Sequence, residues 1–138
     1  MASARHAYLV IDASAVVALL ADAGPAGDWA ELTIRGASLV APDLMPFEVS
    51  NILRRHEQAG ALDSTAAALA HADLVAMPVD LYPFTALSRR IWELRRDLAT
   101  CHAAYVALAE LLSAPLATLD ARLARAAGPR CTILCFAP

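Results

Sequence analysis

The chain contains no lysine; all 11 of its basic residues are arginine. That absence excludes mechanisms built on a lysine amine, Schiff-base chemistry and the phosphate lysine of P-loop proteins among them. Cysteine is scarce as well, with Cys101, Cys131 and Cys135 an odd set. The last two sit in a strand-like run rather than in the CxxC pairs of zinc or redox sites, and reduced, buried thiols in the cytoplasm are expected. Long apolar runs are also missing. Hydrophobic residues make up 59% of the chain, yet charge, proline or glycine breaks every run well short of the ~20 residues of a membrane span. Met1 to His6, followed by the strand-length Tyr8-Leu9-Val10-Ile11, offers no signal-peptide core. Positive charge is not in excess: the net charge is −3 at pH 7, so any contact with nucleic acid must be local.

What is present is regular. A length of 138 residues fits one domain, 1–138, able to bury roughly two-thirds of its unfolded surface. Tyr8 to Ile11 reads as an apolar strand running straight into a helix from Ala15 to Leu20, and the unit then repeats. A helix over Asp28 to Ile34 leads to a strand at Ser38 to Ala41, and a longer helix from Asp43 to Gln58 carries Pro46 in its first turn. Asp63 opens an Ala-rich helix to Leu74, Val75 to Val79 is read as a strand, and Pro83 opens a helix whose Phe84, Leu87, Ile91 and Leu94 keep helical spacing. A helix from His102 to Leu112, a strand Leu116 to Leu119, a short helix Ala121 to Ala127 and a strand Cys131 to Phe136 complete the chain. Apolar strands alternating with helices imply an α/β fold, a mostly parallel sheet of about five strands covered on both faces.

Open parallel sheets bind ligands at the carboxyl ends of their strands, and two of those ends carry Asp12 and Asp120. Each alone is an ordinary helix cap; together they can face one crevice. Glu48 interrupts the apolar Leu44-Met45-Pro46-Phe47-Glu48-Val49 and shares a helix face with Asn51 and Arg55. Carboxylates converging from separate elements repel one another unless a hard divalent cation, Mg²⁺ or Mn²⁺, neutralises them. Such a site suits phosphodiester hydrolysis. Haloacid-dehalogenase phosphatases need DxD, whereas this chain has Asp12-Ala13-Ser14, and receiver domains need the absent lysine.

Four segments in order then carry a resemblance: Val10-Ile11-Asp12-Ala13-Ser14-Ala15, Pro46-Phe47-Glu48-Val49-Ser50-Asn51-Ile52-Leu53, Ala103-Ala104-Tyr105-Val106-Ala107-Leu108-Ala109-Glu110 and Thr118-Leu119-Asp120-Ala121-Arg122-Leu123. In that order and spacing they resemble the VapC-type PIN-domain ribonuclease toxins of toxin–antitoxin pairs. The resemblance implies a PIN-like three-layer α/β/α sandwich and a metal-dependent endoribonuclease neutralised by a VapB-like antitoxin, itself a homodimer. It also implies that Asp12, Glu48 and Asp120 bind the metal, with Ser14 and Thr118 as polar neighbours. One position departs: where the family pattern has Asp before Ala-Ala-Tyr, this chain has His102. His102 can be a metal ligand, can move a proton near neutral pH, or can weaken the site; Asp97, five residues upstream, is the nearest spare carboxylate. The alternative function is a PIN-like module that dimerises and binds an antitoxin or RNA without efficient cleavage.

The remaining polar and aromatic residues have bland readings. Arg54-Arg55, Arg89-Arg90 and Arg95-Arg96 are solvated helix pairs, with Arg55 the candidate for an RNA phosphate. Trp29 and Trp92 are read as core, and His6, His56 and His71 as surface.

Overall fold

The computed structural model describes residues 7–138. The N-terminal reading over Met1 to His6, His6 included, lies outside the described residues.

The sheet is built from β1 (Tyr8–Ile11), β2 (Ser38–Pro42), β3 (Val79–Tyr82), β4 (Leu116–Thr118) and β5 (Ile133–Cys135), all parallel, in the order β3-β2-β1-β4-β5. The inner strands are apolar on both faces because helices cover both, as parallel sheets require. Burying residues such as Val10, Ile11, Val40 and Leu116 contributes about 1.5–3 kcal/mol each. The helices are α1 (Ala13–Ala21), α2 (Pro25–Ile34), α3 (Met45–Gln58), α4 (Ser64–Ala76), α5 (Phe84–Glu93), α6 (Thr100–Leu112) and α7 (Ala121–Arg125). α1 to α4 pack on one another and α5 packs on α6, the two layers that right-handed crossovers produce when strand order reverses. α6 is the most enclosed helix, buried from Ala103 through Ala109.

Local chemistry sets the boundaries. Asp12 caps α1 by accepting from the Ala15 N–H at 3.0 Å, and Asp63 caps α4 through Ala66 at 2.7 Å. α2 begins at Pro25, earlier than its apolar pattern suggested, because proline suits the first turn. Gly27 is needed there, since a Cβ would lie 1.8 Å from the Asp22 carbonyl oxygen.

Several boundaries differ from the sequence reading. The strand expected over Val75 to Val79 lies at Val79–Tyr82, because alanine keeps α4 helical through Ala76 while exposed Asp80 and Leu81 of the edge strand lack an apolar signature. The last strand and α7 are shorter than read. Trp92 is not core: it is 67% exposed, with the Arg95 guanidinium 4.5 Å from its ring centroid. Nor are the thiols buried, as Cys101 is exposed and Cys131 and Cys135 are partly so.

Between β1 and β4 the chain's crossovers reverse direction, and the carboxyl ends of these two strands flank that switch point. Connections that leave in opposite directions are what opens a ligand crevice at such a point in parallel sheets.

Candidate active site

Asp12 follows directly on β1 and Asp120 stands two residues past β4, neighbouring strands in register at Ile11 and Ala117. A hydrogen-bonded circuit joins the two ends. Ser14 donates its hydroxyl to Asp12 Oδ1 at 2.6 Å and accepts from the Leu119 N–H at 2.9 Å. Thr118, fully buried, donates to Asp12 Oδ2 and accepts from the Asp120 N–H at 3.0 Å. Asp12 is itself 6% exposed. Its burial pushes the pKa up, against the pull of the Ser14, Thr118 and Ala15 hydrogen bonds. The structure thus holds a carboxylate out of water.

Glu48 lies in the first turn of α3, where the helix dipole favours negative charge. Its Oε1 accepts from the Tyr105 hydroxyl of α6 at 2.6 Å, joining the two helix layers over the sheet end. Burial raises the Glu48 pKa most; the Tyr105 bond opposes it and the charge of Asp12 adds to it. Tyr105 is held well above the usual phenol range by burial and by Glu48. The Cys101 thiol is likewise pushed up, by burial first and then by the Glu48 charge.

Asp120 is the contrasting carboxylate. Arg122 donates Nε to Oδ1 at 3.1 Å and Nη2 to Oδ2 at 3.0 Å, and its N–H donates to Oδ1 at 2.9 Å. These bonds hold the Asp120 pKa below the ordinary carboxylate range. His102 Nε2 stands 3.7 Å from Asp120 Oδ2, and its charge also acts to lower Asp12 and Glu48. The position where a fourth carboxylate was expected therefore lies beside Asp120. Among the described residues no three His, Cys, Asp or Glu side chains are drawn together as a preformed metal cage, because Asp12 turns to its hydroxyl donors and Asp120 to Arg122.

The structure brings Asp12, Ser14, Thr118 and Asp120 together by hydrogen bonds and sets His102 3.7 Å from Asp120, while Glu48 is held by Tyr105. It does not bring Asn51, whose Oδ1 is held by Arg54 at 2.8 Å, nor Arg55, exposed farther along α3. Asp97 lies instead against Gly128, where an added Cβ would meet its carboxylate at 2.8 Å. Sequence reading missed two participants, Tyr105 and Arg122. Tyr105 stood as one residue of the mostly apolar Ala103 to Glu110 segment, but a buried tyrosine hydroxyl requires a partner, and Glu48 interrupting its own apolar run was the complementary signal.

The PIN domain family model matches residues 9–129. Ribonuclease VapC9 of Mycobacterium tuberculosis is 36% identical over 125 residues, covering 91% of this chain and 95% of that protein. Ribonuclease VapC1 of the same organism is 38% identical over 128 residues, covering 90% and 94%. Among solved structures, PAE2754 from Pyrobaculum aerophilum superposes with a TM-score of 0.64 at 26% identity, covering 93% of this chain and 83% of that one. VapC20 of M. tuberculosis, described as a sarcin-ricin loop cleaving toxin, shares the fold with a TM-score of 0.64 at 17% identity, covering 85% and 93%. With the fold, the acid-bearing strand ends and these relatives in agreement, the chain belongs to the PIN domain family, among its VapC members.

Proposed function

We propose that this protein is a divalent-metal-dependent endoribonuclease, the toxin of a toxin–antitoxin pair, acting in the cytoplasm as a homodimer and neutralised by a VapB-like antitoxin. The observation that carries the reading is the hydrogen-bonded circuit that joins Asp12 and Asp120 at the switch point, with His102 beside Asp120 and Glu48 on α3, on a chain whose curated relatives are named ribonucleases.

The donor chemistry fits a hard divalent cation. Two carboxylates are held partly or wholly out of water with their pKa raised by burial, so their charge awaits a cation, and oxygen ligands suit Mg²⁺ or Mn²⁺. Asp12, Glu48 and Asp120 would hold it. When bound, such an ion supplies charge neutralisation and activation of water for phosphodiester hydrolysis. The remaining work belongs to the chain: Ser14 and Thr118 aim Asp12, Tyr105 aims Glu48, and Arg122 restrains Asp120. The names of the relatives support this reading over the inactive binding module, and His102 then tunes activity rather than abolishing it.

The test is to express the chain from an inducible promoter and sequence RNA 5′ ends before and after induction. New ends at defined sites, absent with Asp12→Ala, are expected. Growth arrest without new ends would refute the ribonuclease reading.

A further inference from the structure

Arg122 differs from the other arginines that the fold engages in that its partner is one of the candidate site's acids. Arg90 is fixed by Glu110, Glu93 and the Gly128 carbonyl oxygen, and Arg54 by Asn51 and Gln58. Arg122 is 80% exposed along its side chain, and among the described residues its guanidinium hydrogen-bonds to Asp120 alone. The planar fork that grips a carboxylate bidentately matches a phosphate equally well. An exposed ion pair of this kind is easily opened. Each Asp120 oxygen accepts a guanidinium N–H from it, so a cation approaching Asp120 meets the Arg122 charge.

We propose that Arg122 is the phosphate-binding cation of the site: the guanidinium that pairs with Asp120 passes to an RNA backbone phosphate when Asp120 turns to a divalent ion. The inference rests on the metal-dependent ribonuclease reading and gives the RNA-phosphate role to Arg122 in place of Arg55. Arg122 lies two residues from Asp120, so the phosphate it receives lies beside the acids, whereas Arg55 is seven residues along α3 from Glu48. The exchange also balances charge locally, because the guanidinium leaves Asp120 as the incoming ion replaces it.

Two measurements test this without cleavage. Free Mn²⁺ is followed by electron paramagnetic resonance in titrations of the wild-type chain, Arg122→Ala and Arg122→Lys. Binding should tighten several-fold in Arg122→Ala and less in Arg122→Lys. Binding of a labelled RNA oligonucleotide is then measured by fluorescence anisotropy in chelator over a range of salt, for Asp120→Asn with and without Arg122→Ala; asparagine keeps the helix cap. Freed from the Asp120 charge, Arg122 should contribute there, and its removal should weaken RNA binding about fivefold and reduce the salt slope by about one. In the wild-type background the same removal in chelator should change RNA binding little, because the arginine is engaged. Mn²⁺ affinity that is unchanged or lower in Arg122→Ala, or a salt slope indifferent to Arg122 in the Asp120→Asn background, would overturn the proposal. A wild-type chain that takes up no Mn²⁺ would overturn the metal reading and with it the exchange, while the salt slope would still decide the phosphate contact.

Discussion

Tyr105→Phe isolates a single hydroxyl. The ring is 2% exposed and phenylalanine fills the same space, so no cavity forms; what is lost is the 2.6 Å bond to Glu48 Oε1. A hydrogen bond to a charged partner is worth about 1.5–3 kcal/mol, and at this chain length each kcal/mol moves Tm by about 3–5 °C. The variant should therefore melt about 5–15 °C lower at pH 7.5 without divalent ions. Its pH dependence is the sharper readout. Burial raises the folded pKa of Glu48, so Glu48 contributes stability in acid that is lost as pH rises through that folded value. Tyr105 limits the rise, and without its hydroxyl the folded pKa climbs further and more stability is lost on the way to neutral pH. Paired thermal melts at pH 4 and pH 7.5 should show the two chains close together in acid and separated at neutral pH. An equal Tm deficit at both pH values would mean that the hydroxyl acts through packing and not through the Glu48 charge.

Other substitutions test neighbouring claims. His102→Asp restores a fourth carboxylate and should tighten Mg²⁺ binding, on the order of tenfold by calorimetry, and raise RNA cleavage; lower cleavage, with Mn²⁺ serving the original chain well, would instead make the imidazole a working ligand or base. Arg90→Ala removes the partner of Glu110, a pair whose side chains are 21% and 14% exposed, and should cost about 2–3 kcal/mol in chemical denaturation. Arg89→Ala, where the arginine is 95% exposed, should leave the denaturation midpoint unchanged; equal costs at the two positions would refute the distinction drawn from burial.

Much of this was legible in residue order because the strands are short and apolar and end in the residues that matter. Tyr8 to Ile11 running into Asp12, and Leu116 to Thr118 leading to Asp120, locate both the inner strands and the crevice, and Ser14 and Thr118 follow with them. The edges were less legible. β3 carries Asp80 and exposed Leu81, so its pattern is not that of a buried strand, while the alanines before it are helical only in the company of buried Ala70 and Leu74. Trp92 projects outward because Ser88, Arg89, Arg95 and Arg96, three and four residues away, make its helix face polar, so its apolar character and not its spacing prompted the core reading. Tyr105 and Arg122 were missed since their roles depend on contacts across 57 residues and on the direction of a flexible guanidinium.

The most direct test of the acidic site is cleavage of a 5′-labelled structured RNA by the purified chain, followed with Mg²⁺, with Mn²⁺ and with excess chelator, beside Asp12→Ala, Glu48→Ala and Asp120→Ala. Cleavage at defined positions that needs a divalent ion, and that falls at least a hundredfold (about 2.7 kcal/mol) in each alanine variant, is the expected result. Cleavage that survives in chelator, or in a chain lacking Asp12 and Asp120 together, would contradict the assignment of these carboxylates as the metal-holding centre.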